Sequence, residues 1–364
     1  MTVEPRPAAH TNRLASLLGI DVPVVLGPFG GVSSARLTAA VSDGGGLGSF
    51  GLYGYDGDAI RRAAAELRSV TGRPFALNLW VPTGTETTSL PQAEFERYAE
   101  ALEPFFDELG LPLPQQPASF MPDYAGQVEA ALEARPAVVS FVFGVPSPEV
   151  VDAAHRQGTK VLGTATTVAE AVALENGGVD AVVASGAESG GHRVSFLAPA
   201  EESLVGTFAL VPQVADAVRV PVVAAGGVAD RRGVAAALAL GADGVQVGTA
   251  FLATSESAAV PAYREVLHSP AAGHTVLTRA LSGRLARGIP NKVTRSAAPD
   301  RTAPFPVQNW LTGKFRAEAA ARGNTDLMSL WAGQAAPLIR HRNAADVLAE
   351  LTQGLPGRNA AQSR

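Results

Sequence analysis

The chain of 364 residues contains no cysteine. That excludes disulfides, thiolate metal sites and any thiol nucleophile. Concentrated positive charge is also missing: 29 basic residues are scattered against 34 acidic ones, for a net charge of −5. No basic stripe could track phosphates, so no nucleic acid is expected as a partner. Long apolar runs are absent too, and the N-terminal "MTVEPRPAAHTNRLASLLGI" lacks the apolar stretch of a signal peptide. The expectation is a cytoplasmic protein with no membrane contact.

What the chain does have is 46% hydrophobic residues, enough for one large core or a core with a smaller subdomain. Eight short β-type runs, bounded by Gly and Pro, recur along it: "PVVLGPF" (23–29), "LGSFG" (47–51), "FALNLWV" (75–81), "VVSFVFG" (138–144), "KVLGTA" (160–165), "AVVASG" (181–186), "PVVAAGG" (221–227) and "GVQVGTAF" (244–251). Alanine-rich stretches suited to helices lie between them, as at 59–70, 148–157, 168–175 and 231–240. Strand alternating with helix implies a parallel sheet, and eight nearly continuous apolar runs favour a closed (βα)₈ TIM barrel of the α/β class over an open doubly wound sheet. The barrel is assigned to 13–256.

Two stretches fall outside the repeat. Residues 82–123, after the third run, read as an insertion on the C-terminal face, with one amphipathic helix near 94–109 and the position of a lid. Residues 257–354 exceed what a last barrel helix needs and are expected to form a helical extension packing over the barrel mouth. The closing residues 355–364 are small and polar and read as a flexible tail. The amphipathic barrel helices leave a homodimer open.

Functional residues of such a barrel lie where strands end and the next loops begin. The seventh run ends in Gly226 and Gly227, the eighth in Gly248 and Thr249; glycine-rich loops here, opening short helices, offer converging N–H groups suited to a phosphate. Between "AVVASG" and "RVSF" stands His192, preceded by Gly190 and Gly191. An imidazole beside glycines can meet a ligand closely and exchange a proton near neutral pH. No second His or carboxylate follows His192 at metal-binding spacing, Glu188 four before it would be only one ligand more, and no G-x-S-x-G elbow occurs, so neither a metal nor a serine triad is expected. His10, His155, His268, His274 and His341 read as surface or structural residues. Glu188 and Arg193 could orient the imidazole, attract an anion or be solvated loop charges. Phe29, Trp80 and Trp331 could flank a planar ring, and one phosphate with one planar ring suits FMN.

Six stretches in order, "PVVLGPFGGVSS", "AAVSDGGGLGSFG", "FALNLWVP", "GAESGGHRVSF", "AAGGVADRRGVAAALALGADGVQVGTAFLAT" and "SGRLARGIPN", resemble the motifs of nitronate monooxygenases, formerly called 2-nitropropane dioxygenases. The resemblance covers about residues 20–335. It implies an FMN-dependent TIM barrel that oxidises alkyl nitronates, such as propionate 3-nitronate, with O₂ to a carbonyl compound and nitrite. By that resemblance His192 is catalytic, and FMN is held by Asn78, Ser185, Gly190, Gly227, Gln246, Gly248 and Thr249. Gly27, Pro28, Phe29, Gly191 and Gly226 are added from the neighbouring loops. Ser189 stands where the family has alanine and Phe29 where a methionine is common, which bears on substrate range.

For the mechanism, the expectation is that protonated His192 hydrogen-bonds the oxygens of a bound nitronate, and that neutral His192 removes the α-proton of a neutral nitroalkane. FMN-dependent quinone or enoyl-thioester reductases of the same superfamily are the main rival, and Arg193 after His192, where the quinone-reductase form usually has proline, favours nitronate oxidation. The inosine-monophosphate dehydrogenases need a cysteine and are excluded. A non-catalytic flavin-binding protein would have no use for a positioned base.

Overall fold

Alternate residues of each apolar run take opposite sides of one curved sheet, and that alternation builds the molecule from the inside out. The computed structural model describes residues 12–296 and 299–356. Six strands come first: β1 (Val24–Leu26), β2 (Gly48–Gly51), β3 (Phe75–Trp80), β4 (Val138–Val142), β5 (Lys160–Ala165) and β6 (Ala181–Ser185). A two-residue strand β7 (Gly191–His192) precedes β8 (Val222–Ala225) and β9 (Gly244–Val247). Leaving β7 aside, the sheet is parallel and ordered β1-β9-β8-β6-β5-β4-β3-β2. A parallel bridge between Val25 and Leu47 joins its two ends. The barrel is closed.

Val25, Ala76, Val138, Leu162, Val183 and Val223 fill its interior, and Leu14 and Leu18 of the helix Arg13–Leu18 plug the N-terminal end. Their neighbours Val24, Leu77, Val139, Val161, Val182 and Val222 point outward into the layer shared with the helices. Both faces of these six strands are therefore largely apolar, as barrel strands require.

Three sequence expectations need adjustment. The eighth run stops at Val247, because Thr249–Leu252 already turns as a short helix. The helix near 94–109 is two, Gln92–Glu100 and Glu103–Glu108, with Pro104 in the first turn of the second, where its missing N–H costs nothing. The segment after 256 is not a purely helical appendage. It contains the antiparallel pair β10 (Val276–Thr278) and β11 (Ala286–Gly288), and β11 also pairs with β7. Its helix Ala344–Thr352 packs Val347, Leu348 and Leu351 into the barrel's outer layer. That helix is the eighth of the barrel, so residues 257–343 are an insertion between the last strand and the last helix.

This insertion and the one at 82–123 share a second core. Phe105 and Phe106 meet Phe315 at ring-centroid distances of 5.5 and 5.4 Å, and Phe95 and Phe120 meet Trp310. The predicted tail falls outside the described residues from 357 onward, as does His10.

Candidate active site

A cavity of about 410 Å³ opens at the C-terminal ends of the barrel strands, and all 13 site residues inferred from the sequence line it. The end of β1 contributes Gly27, Pro28 and Phe29; β3 contributes Asn78; β6 and its loop contribute Ser185, Gly190, Gly191 and His192. Opposite them, Gly226 and Gly227 follow β8, while Gln246 of β9 is followed by Gly248 and Thr249. Trp80 and Trp331 also line the space. No described residue of 82–123 does.

The cradle expected for a phosphate is made of backbone. Gly226 and Gly227 have φ of +97° and +75°, a region that side-chain-bearing residues avoid. A Cβ on Gly226 would lie 2.6 Å from the Ser189 hydroxyl oxygen, and one on Gly27 3.0 Å from the Cα of Gly248. The helix behind this loop, Arg231–Ala239, has its first amides taken by the carboxylate of Asp230. Loop amides, not that helix end, are what the cavity offers an anion.

Glu188 and Arg193, left open by the sequence, are structural clamps. The Glu188 carboxylate accepts hydrogen bonds from the backbone N–H and the hydroxyl of Thr207, each at 2.8 Å. It thereby caps the helix Thr207–Ala217, whose own N-cap is Gly206. Arg193 is 1% exposed and donates to the carbonyls of Ser185, Gly186 and Ser203. Burial lowers its pKa to about 10, so it stays charged at neutral pH. Together the two side chains fix the loop that presents His192.

His192 pairs through its backbone with Ala286 of β11. Its Nε2 lies 2.8 Å from the Ser282 hydroxyl oxygen. That hydroxyl also donates to the carbonyl of Arg284 at 3.1 Å and accepts from the Arg284 N–H at 3.3 Å. Assigning the single hydroxyl proton to the Arg284 carbonyl makes Ser282 the acceptor of an Nε2–H. With that assignment the neutral ring carries its proton on Nε2 and its lone pair on Nδ1. Burial, with Arg284 and Arg316 nearby, pushes the His192 pKa down to about 3. The imidazole is thereby held neutral at physiological pH, the form that can take a proton from a neutral nitroalkane.

Aromatic rings surround it. Trp80 and Trp331 lie 5.0 and 5.5 Å from the imidazole, and Tyr53 packs against Trp80 at 4.3 Å with the rings tilted by 38°. Arg284 covers the rings of Phe143 and Phe305 at 4.1 and 3.9 Å and pairs with Glu86 at 2.5 Å. Trp331 reaches the site because Gly190 and Gly333 let two backbones touch; a Cβ on Gly190 would stand 2.5 Å from the nitrogen of Gly333. Sequence reasoning missed Ser282, Tyr53, Asn309 and Arg316. Ser282 sits in the quoted "SGRLARGIPN", but nothing local marks a serine that meets a histidine 90 residues away.

Fold and cavity define a (βα)₈-barrel enzyme with one deep site at the strand C-termini, floored by glycine loops and holding a single imidazole. Residues 11–354 match the family model described as nitronate monooxygenase. The nitronate monooxygenase of Pseudomonas aeruginosa is 42% identical over 95% of this chain and 100% of its own length. A nitroalkane oxidase from Streptomyces ansochromogenes superposes with a TM-score of 0.84 at 36% identity, covering 96% of this chain and all of that one. FabK from Thermotoga maritima follows at 0.74 and 30%, covering 95% and 96%. The chain belongs to the nitronate monooxygenase family. It is a flavin-dependent oxidoreductase that oxidises nitronates.

Proposed function

We propose that the flavin is FMN, and that the enzyme oxidises alkyl nitronates with O₂ to a carbonyl compound and nitrite. The cavity fits such a group: positive-φ glycines at 226 and 227 leave room for a phosphate against loop amides. The amide nitrogen of Asn78 donates to the backbone carbonyl and hydroxyl of Ser140, turning its oxygen into the acceptor left for a ring N–H. Phe29, Trp80 and Trp331 line the same space as walls for a planar ring. When bound, the flavin supplies the acceptor for the electrons of the nitronate.

The residues of the chain do the rest. Nδ1 of His192 has the lone pair that can accept the α-proton of a neutral nitroalkane, and Ser282 keeps the other nitrogen protonated while the charge develops. A preformed nitronate has already lost that proton and needs no base. The aromatic wall keeps water from the reacting carbon. The observation that supports this reading is the contact of His192 Nε2 with the Ser282 hydroxyl, which, with the hydroxyl proton assigned to the Arg284 carbonyl, makes Nδ1 the accepting nitrogen.

The test is anaerobic mixing of the flavin-loaded protein with propyl 1-nitronate and, separately, with NADH and NADPH. Rapid bleaching of the flavin by the nitronate alone, reversed by air, is expected. Rapid bleaching by a nicotinamide would move the protein to the reductase chemistry of the rival reading.

A further inference from the structure

No residue of the insertion 82–123 lines the cavity, yet one of its side chains is tied to the residue that holds Ser282. Glu86 Oε1 accepts from the N–H and the hydroxyl of Thr83, at 2.9 and 3.0 Å, and from Nη2 of Arg284 at 2.5 Å. The same Nη2 reaches the Thr83 hydroxyl at 3.2 Å. The Thr87 N–H donates to the carbonyl of Phe305 at 3.2 Å and pins this strap to the long insertion before the last helix. The Glu86 and Arg284 side chains are 10% and 13% exposed, so they form an interior ion pair. Although burial opposes ionisation, the Thr83 N–H and the Arg284 guanidinium hold the Glu86 carboxyl below the usual carboxylate range, and it is charged at neutral pH.

Arg284 touches the base by two routes. Its backbone holds the Ser282 hydroxyl, which meets His192 Nε2 at 2.8 Å. Its guanidinium lies over Phe143 and 6.0 Å from the centroid of Trp80, the two rings that stand 6.3 and 5.0 Å from the imidazole. Behind burial, the charges of Arg284 and Arg316 are what keep a proton off His192. Among the described residues only Arg284 of these two has a carboxylate within salt-bridge distance; the hydrogen bonds of Arg316 go to Asn309 and Ser329. When His192 takes the α-proton of a nitroalkane, the C–H bond breaks, its electron pair passes to the nitro group as the nitronate, and the proton goes to Nδ1. A positive charge then appears on the ring, where Arg284 opposes it and Glu86 cancels that opposition; few polar groups stand between to screen either charge. A preformed nitronate puts no charge on the ring.

We propose that Glu86, from outside the cavity, is a positioning residue for the base: paired with Arg284, it steadies the turn between β10 and β11 that carries Ser282 and neutralises the cation that opposes proton transfer to His192. The insertion 82–123 thus acts on the chemistry through a charge. The proposal rests on the reading of His192 as acceptor of the α-proton, and it concerns neutral nitroalkanes alone.

The experiment uses the flavin-loaded enzyme and two forms of one substrate, 1-nitropropane and propyl 1-nitronate. Glu86→Gln keeps an oxygen to accept from Thr83 and Arg284 and removes only the charge. It should lower kcat/KM for 1-nitropropane about tenfold and leave propyl 1-nitronate within about twofold of wild type. The deuterium isotope effect with 1,1-dideuterated 1-nitropropane should be no smaller than in wild type, as slower C–H cleavage requires. The double variant Glu86→Gln/Arg284→Met, which removes the cation as well, should bring 1-nitropropane back to within about threefold of wild type. If Glu86 were only a latch, the double variant would do no better than the single one, having lost the same contact and the guanidinium too, and that result would overturn the proposal. Equal losses on both substrate forms in Glu86→Gln, or no loss on either, would do the same. A wild type that oxidises propyl 1-nitronate but not 1-nitropropane would overturn the proposal and leave nitronate oxidation standing; one inactive on both would overturn both.

Discussion

A hydroxyl with one proton and two lone pairs determines which nitrogen of His192 can work. With the Ser282 proton assigned to the Arg284 carbonyl, Nε2 donates and Nδ1 accepts. His192→Asn is therefore expected to lower kcat/KM for a neutral nitroalkane by about 10²–10⁴, the usual worth of a positioned base. Oxidation of the preformed nitronate should fall far less, and stopped-flow traces with both substrate forms would read the difference. Ser282→Ala removes the tautomer lock while sparing the imidazole. It should slow the neutral substrate about tenfold, leave the nitronate nearly untouched, and change the ¹⁵N shifts of the two ring nitrogens. pH gives an independent check. With the His192 pKa down at about 3, kcat/KM for neutral nitroalkane should show no acidic limb near 6.5, where an ordinary histidine would protonate. The same depression acts on folding: below about pH 6.5 the unfolded chain takes up this proton and the folded one does not, so stability contributed by the neutral ring is lost as pH falls toward 3.

At the scale of elements, the strand-six loop is held by groups outside it. Glu188 reaches across to cap the helix Thr207–Ala217, and Glu170, fully buried, accepts from the N–H groups of Phe196 and Leu197 at 2.6 and 3.2 Å. Glu188→Ala should cost about 1–2 kcal/mol of stability, as loss of a helix cap does, measurable by urea unfolding of the flavin-free protein. It should also weaken flavin retention, because the same loop carries Gly190 and Gly191. The four missed residues belong to this scale. Ser282, Asn309 and Arg316 lie in the long insertion before the last barrel helix, and Tyr53 lies in the loop after β2; each is ordinary in its own sequence neighbourhood. What makes them functional is a partner far along the chain, as when Asn309 bonds to Tyr53 over 256 positions.

For the whole molecule, the decisive feature is that the barrel is completed by its last described helix. Val347 and Leu351 are 2% and 0% exposed in the layer that also holds Leu37 and Val41. A chain ending at residue 343 retains every residue placed at the site, yet is expected to aggregate or fail to bind flavin, because the strip beside β1 and β9 is left bare. Flavin should in turn stabilise the whole fold by mass action. At a hundredfold excess over its Kd, FMN adds about 2.7 kcal/mol, and differential scanning fluorimetry should show a larger shift with FMN than with riboflavin. Equal shifts would remove the phosphate from the glycine cradle.

The alternation of apolar residues and the glycines at strand ends determined the barrel and marked Gly190, Gly191, His192, Gly226, Gly227, Gly248 and Thr249, because strand period and positive-φ turns are local properties of the chain, while Asn78, Ser185 and Gln246 followed only from the family resemblance. Only the tertiary structure decided the rest: that the last barrel helix comes after residue 343, that Glu188 and Arg193 are clamps, that His192 is neutral, and that Arg316 lacks an acid. Burial, tautomer and charge balance depend on groups brought together from distant positions. Chain order does not record them.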